Sequence, residues 1–380
     1  MARRIVLVGP AHPLRGGGLA TFNERLAKAF QEEGDEVEIV TFSLQYPSFL
    51  FPGKSQYTDE PAPAGLNIKV LINSINPLSW LKAGNYIRKQ KPDLVLFRYW
   101  LPFMGPCFGT IARIISRNKR SRILAITDNV VPHEQRPGDV PFTRYFLSAC
   151  HGFIAMSRSV QQDLERFEPD KPNVYLPHPL YDNFGDPVTK AEACAKLNLD
   201  PEYRYILFFG FIRAYKGLDL LLKAMAESRL QQLPKLKLLV AGEFYDDPAP
   251  YHHLINELNL QAQLVLRTDF IPNADVRYYF SAADLVVQPY KHATQSGVTQ
   301  VAYHFNKPMV VTKVGGLAEL VPDGEVGYVV EPEPEAIAAA IGNFFASANA
   351  AAFAQNIQTY KNRFSWKTFV QEIYQLAAKL

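Results

Sequence analysis

The sequence predicts an α/β protein built from two doubly wound parallel-sheet domains. Three observations carry that prediction. The chain has 380 residues, and a single core rarely grows past about 250–300. It opens on a strand–helix–strand pattern whose strands are continuous apolar runs, as in parallel sheets covered on both faces. The same pattern restarts after residue 200, beyond a polar stretch.

The first strand is Ile5-Val6-Leu7-Val8, ending at Gly9-Pro10. A loop, His12 to Gly18, leads to Leu19, Phe22, Leu26, Ala29 and Phe30 at helical spacing, with Gly34 as the stop. Val37 to Thr41 is the next strand, completing a right-handed β-α-β unit. Leu94-Val95-Leu96-Phe97, Ile123 to Ile126 and Gly152 to Ala155 read as further buried strands. Ser157 stands before Val160 and Leu164 as a helix cap. Val174 to Pro179 is a last strand running into a turn.

Residues 181–200 are polar with a weak helix, and the second series follows. Its strands are Tyr205–Gly210, Leu236–Gly242, Leu264–Leu266, Leu285–Gln288 and Pro308–Val311, with an apolar helix at Leu218–Met225. The alanine-rich segment 336–354 reads as helix, not low complexity. Trp366 to Leu380 is amphipathic, with Phe369, Ile373 and Leu376 on one face. The domains are placed at 1–180 and 181–365, with the final helix, 366–380, packing back on the first.

Composition excludes several classes. Hydrophobic residues make up 48% and charged residues 20%, which is globular rather than disordered. A net charge of +3 is too small for nucleic-acid binding by bulk electrostatics. Cys107, Cys150 and Cys194 form neither a disulfide framework nor a zinc motif, and suit a reducing compartment. The apolar run after Met1-Ala2-Arg3-Arg4 is only a strand's length, so no secretory signal is expected and the location is read as cytoplasmic. No apolar stretch reaches the roughly 18 residues of a membrane span.

Open α/β sheets bind ligands beyond the carboxyl ends of their strands. Three segments there can carry chemistry. Gly16-Gly17-Gly18 joins the first strand to its helix, letting backbone approach a ligand near free N–H groups. The spacing is not G-x-G-x-x-G, which disfavours a nicotinamide site; the alternative is a plain flexible turn. In Phe209 to Gly217, Arg213 and Lys216 lie just ahead of a helix start, a pattern suited to a diphosphate; a solvated basic loop is the other reading. In Pro289 to Glu319, Ser296-Gly297 and Gly315-Gly316 flank a strand, and Glu319 reads as a helix-start or loop-fixing carboxylate rather than a general base.

At these residues the sequence resembles a retaining glycosyltransferase of the GT-B fold, family 4 type ("glycosyl transferases group 1"). The strongest blocks are the glycine loop 16–18, Gly210 to Gly217, the run Lys307 to Thr312 into Gly315-Gly316 and Glu319, and the tail Phe364-Ser365-Trp366. The resemblance implies a GT-B architecture of two doubly wound Rossmann-like domains facing a central cleft. It implies a nucleotide-diphosphate sugar donor, UDP- or GDP-linked, held by the second domain, and a glycan or lipid-linked acceptor met by the first. It implies no other cofactor and no catalytic metal. Arg213 and Lys216 match the family's diphosphate-binding pair. Gly210, Gly17 and Gly18 match backbone close to the diphosphate, with Gly16 beside them.

Two departures stand out. Relatives carry a Glu, seven residues and a second Glu ahead of the strand at 308; aligning on Lys307-Pro308 puts Ala293 and Val301 there. Thr294, Gln295, Ser296, Gly297 and Val298 remain to offer backbone N–H groups to the donor. Relatives also carry a His near the end of the strand that here ends in Thr127-Asp128-Asn129. Asp128 and His133 are the catalytic candidates at that place, with hydrogen-bonded loop residues as the alternative. A nucleotide-sugar hydrolase or epimerase, or a sugar-nucleotide- or glycan-binding protein without turnover, is the competing reading. The aromatic segments Tyr46–Pro52 and Tyr99–Met104, with the basic cluster Arg113 to Arg122, suit peripheral contact with anionic lipid at the inner face of a membrane.

Overall fold

The computed structural model describes residues 2–15, 18–47, 55–131, 137–293, 296–347 and 349–380. The chain divides into two compact units, Met1–Pro179 with Phe364–Leu380, and Leu180–Arg363.

The first unit runs β1 (Arg4–Val8), α1 (Gly18–Glu32), β2 (Glu36–Leu44), β3 (Asn67–Asn73), α2 (Pro77–Gln90), β4 (Leu94–Tyr99), α3 (Gly105–Ser116), β5 (Arg122–Thr127), α4 (Asp139–Leu147), β6 (Gly152–Ala155), α5 (Arg158–Phe167) and β7 (Asn173–Tyr175). Its sheet is parallel, in the order β3-β2-β1-β4-β5-β6-β7. Central β1 and β4 are buried along almost their whole length because helices cover both faces. Val6, Val95 and Phe97 are fully buried. β3 escapes sequence reading because it is an edge strand in which only Ile72 is buried and Lys69 interrupts the apolar residues. Ser157 caps α5 as expected, its hydroxyl accepting the Val160 N–H at 3.3 Å.

The second unit contains α6 (Lys190–Leu197), β8 (Arg204–Phe209), α7 (Leu218–Ala226), α8 (Ser228–Gln231), β9 (Leu236–Ala241), α9 (Ala249–Glu257), β10 (Leu264–Arg267), α10 (Val276–Ala282), β11 (Leu285–Gln288), α11 (Gly297–His304), β12 (Met309–Thr312), β13 (Gly327–Val330), α12 (Pro334–Ala346) and α13 (Asn349–Tyr360). Its sheet, β10-β9-β8-β11-β12-β13, is again parallel. The weak helix of the polar stretch is α6, fixed by a capping box between Thr189 and Glu192.

The segment 336–354 is not one helix. The backbone turns extended at Ser347 (φ −98°, ψ 159°), separating α12 from α13. Alanine favours helix everywhere in that run and marks no stop; the break lets Phe353 and Ile357 reach the core.

The last helix, α14 (Trp366–Ala378), packs on α1 of the first unit. Phe22 of α1 meets Trp366 at 5.2 Å and Phe369 at 5.9 Å between ring centroids. Tyr374 hydrogen-bonds Asp35 at the foot of α1. Burying each such ring stabilises by about 1.5–3 kcal/mol, enough to hold a 13-residue helix that would be marginal alone.

Candidate functional site

In the second unit the chain leaves β8 at Gly210, whose φ of +96° suits glycine. A methyl group there would stand 3.0 Å from the Lys216 ammonium and 3.8 Å from Val298. The missing side chain is therefore the space between that ammonium and the start of α11. Arg213 begins a single 3-10 turn, Ala214–Lys216, held by an Ala214 N–H bond to the Asp246 carboxylate at 2.6 Å. Gly217 closes it with φ +69°, and a side chain there would strike the Pro289 carbonyl at 1.9 Å. The turn is thus locked against the loop after β11.

Aromatic rings wall the two cations. The Arg213 guanidinium lies 5.2 Å from the Tyr245 ring, itself against Phe211 at 4.2 Å. The Lys216 ammonium lies 5.7 Å from the ring of buried Tyr290. The Tyr290 hydroxyl meets the Ser296 hydroxyl at 3.3 Å, and Thr312 donates to the Tyr290 carbonyl at 2.6 Å. Strand ends β8, β11 and β12 thereby converge on one rim.

Burial, and then the Arg213 charge, lower the Lys216 ammonium from 10.5 to about 8. Part of the side chain still reaches solvent. Among the described residues no carboxylate pairs with Arg213 or Lys216. The nearby Lys291, by contrast, is taken by Asp219 at 2.8 Å. Two like charges held together with no carboxylate partner among the described residues make a region of positive potential, which suits an anion.

The structure therefore brings together Gly210, Arg213, Lys216, Ser296, Gly297 and Val298. Glu319 stands exposed in the 3-10 turn Gly315–Leu320 after β12, with no hydrogen bond or ion pair to either cation among the described residues. Thr294 and Gln295 lie outside the described residues. Ala293 and Val301 are buried and apolar. Beside Val301, Gln300 of α11 is fully buried with neither amide atom hydrogen-bonded, a departure worth about 1–3 kcal/mol.

In the first unit Gly18 opens α1, while Gly16, Gly17 and His133 lie outside the described residues. Asp128 follows β5 with its N–H bonded to the Tyr99 carbonyl at 2.8 Å. Its carboxylate accepts both prongs of Arg98, Nε at 2.7 Å and Nη2 at 2.6 Å. The guanidinium stacks on Phe22 at 3.8 Å, and its other arm reaches the Met156 sulfur. Asp128 is thus engaged in holding Arg98. His178 packs edge-on against Phe22 at 4.9 Å, and its Nδ1 donates to the Pro179 carbonyl at 2.7 Å. Burial, and then the Arg98 charge, push His178 down to about 3, so it stays neutral. In sequence Arg98 only interrupts the apolar run that starts at Leu94, although a lone cation inside a buried strand is a signal for a buried ion pair.

The aromatic segment after β4 is core: Tyr99 and Met104 are fully buried, and the Trp100 Nε1 donates to the Tyr46 hydroxyl. It is not a lipid-facing loop, because its rings fill the layer between β4 and α3. Of the other aromatic segment, residues 48–52 lie outside the described residues. Among the described residues no single helix is long and apolar enough to cross a membrane, and no group of three His, Cys, Asp or Glu side chains could hold a metal ion.

Comparison with known proteins matches residues 189–360 to the family "Glycosyl transferases group 1" and residues 16–179 to "Glycosyltransferase Family 4". A D-inositol 3-phosphate glycosyltransferase of Stackebrandtia nassauensis is 30% identical over 346 residues, 84% of this chain and 76% of that protein. Among solved structures, sucrose-phosphate synthase of Thermosynechococcus elongatus superposes with TM-score 0.75 at 20% identity, over 99% of both chains. Anabaena Alr3699/HepE in complex with UDP does so with TM-score 0.72 at 18% identity, over 100% of both chains.

Proposed function

Because the chain belongs to the group 1 glycosyl transferases of family 4 type and has the GT-B fold, we propose that it transfers a sugar with retention of anomeric configuration. The donor is a UDP- or GDP-linked sugar and the acceptor a glycan or lipid-linked oligosaccharide. One observation carries the reading: Lys216 and Arg213, without a carboxylate partner among the described residues, stand together over Gly210 at the carboxyl end of β8.

The chemistry follows from charge. As the bond between the anomeric carbon and the diphosphate oxygen breaks, negative charge grows on the diphosphate. Fixed cations that meet it there lower the barrier without reorganising, and removal of one such donor costs about 10²–10³ in rate. The acceptor oxygen attacks from the face the diphosphate leaves, and the leaving phosphate oxygen takes the acceptor's proton. No strong protein base is required, which agrees with Asp128 being held by Arg98. We assign Asp128 the role of positioning the start of the 128–131 turn. Two protein cations and backbone N–H groups supply the charge that a metal would otherwise bring.

Single-turnover transfer by Lys216→Ala tests this reading. A rate lower by about 10²–10³ with the protein folded is expected; a rate near wild type would refute it. Thermal shifts with UDP, GDP, ADP and their sugars name the donor class through mass action. Hydrolysis of the donor with no acceptor dependence would favour a hydrolase or epimerase.

A further inference from the structure

Beside the two cations of the second unit, the chain sets a pair of aromatic rings on the same rim. The pairing of β8 with β9 continues past the regular strands. The Ile212 N–H donates to the Glu243 carbonyl at 2.8 Å, and the Tyr245 N–H to the Ile212 carbonyl at 3.0 Å. Side chains alternate across such a pairing. Ile212 and Phe244 turn into the core, Ile212 fully buried and Phe244 against Tyr251 at 5.4 Å. Their neighbours Phe211 and Tyr245 turn away from it together, with ring centroids 4.2 Å apart and planes at 31°. Both are only half-buried, so each keeps part of its surface open to solvent. The two loops that carry them are in direct contact: a side chain on Gly242, at φ +145°, would strike the Gly210 carbonyl at 2.2 Å.

The rings extend the row of cations at one end. Lys216 stands toward β11, near Val298 and the Tyr290 ring, whereas Arg213 stands toward β9, 5.2 Å from the Tyr245 ring. A diphosphate that spans the two cations therefore directs one of its substituents at Phe211 and Tyr245. That substituent is either the sugar or the nucleoside. A pyranose needs partners for its hydroxyls, and the carboxylate next in sequence, Asp246, is already engaged by the Ala214 N–H at 2.6 Å. A nucleobase needs only a flat π-face, because stacking requires no hydrogen-bond partner.

We propose that Phe211 and Tyr245 form the platform on which the donor's nucleobase stacks. The rings, and not the cations, then set how much the nucleoside adds to binding. This rests on the nucleotide-diphosphate donor proposed above and gives its nucleoside end residues of its own.

Calorimetric titration of inorganic pyrophosphate, UDP, GDP and ADP into the full chain separates the two contributions. Four proteins are compared: wild type, Phe211→Leu, Tyr245→Leu and Tyr245→Phe. An unchanged circular dichroism melt confirms the fold of each variant. Wild type is expected to bind at least one nucleoside diphosphate about tenfold or more tighter than pyrophosphate. Phe211→Leu and Tyr245→Leu should each lose about tenfold toward that nucleotide while holding pyrophosphate within about twofold of wild type. Tyr245→Phe keeps the ring and should bind like wild type. Undiminished nucleotide affinity in both leucine variants, or an equal loss toward pyrophosphate, overturns the platform and leaves the diphosphate site standing. A loss in Tyr245→Phe as large as in Tyr245→Leu overturns it too, since the hydroxyl and not the ring would then be the contact. Wild type binding none of the four probes overturns the platform and the donor reading together.

Discussion

Each unit ends a central strand beside an arginine, and the two arginines meet opposite fates. In the first unit Arg98 of β4 is gripped by both oxygens of Asp128 and stacked on Phe22, 3% exposed. In the second, Arg213 and Lys216 follow β8 with aromatic rings beside them and no carboxylate among the described residues. The same charge is structural where its partner is built in, and poised for a ligand where it is not. A buried pair is costly to break, because the survivor stays desolvated. An unpaired cluster costs the free protein, and that cost is relieved when an anion arrives.

The contrast can be broken most forcefully at Arg98. Arg98→Ala leaves the Asp128 carboxylate buried without its guanidinium, and about 3–5 kcal/mol of stability should be lost in urea unfolding. Replacing both partners, Arg98→Met with Asp128→Leu, should recover most of it. A loss below about 1 kcal/mol for the single variant would place the pair among surface bridges instead.

His178 sharpens the same comparison through pH. Folding holds it neutral, with its value lowered from 6.5 to about 3. Its contribution is complete above 6.5 and is lost as pH falls from there toward 3, because the unfolded chain binds the proton first. Between pH 6.5 and 4 that amounts to about 3 kcal/mol. Stability measured across that window should fall for wild type and flatten in His178→Phe; parallel slopes would remove Arg98 and His178 as a coupled unit.

The smallest effect is expected at Gln300, a buried side chain of the second unit with neither amide atom hydrogen-bonded. Gln300→Leu should stabilise the free protein by about 1 kcal/mol, since a buried amide without partners is exchanged for an apolar side chain. A lower melting temperature would show that the amide is bonded after all.

Much of the architecture was legible in the sequence because buried parallel strands are continuous apolar runs. Ile5–Val8, Leu94–Phe97 and Tyr205–Phe209 all announce themselves in that way. Edge strands β3 and β13 do not: exposure mixes Asn67 and Lys69 into β3, and β13 is only the four residues Gly327–Val330. The rim around Lys216 was legible in part. Arg213 and Lys216 stand close in sequence, whereas Tyr290 and Tyr245 join them only through strand order. Arg98 and Asp128 lie 30 residues apart, and only the pairing of β4 with β5 brings them into contact.

The most direct test of the unpaired cluster is calorimetric titration of UDP, UMP, GDP and GMP into wild type and Lys216→Met. The account predicts that wild type prefers one diphosphate over its monophosphate by at least about tenfold near pH 7. That preference should fade as the solution rises through about 8, where the Lys216 ammonium loses its charge, and should vanish in Lys216→Met. Equal affinity for mono- and diphosphate, or a preference that survives Lys216→Met unchanged, would contradict it.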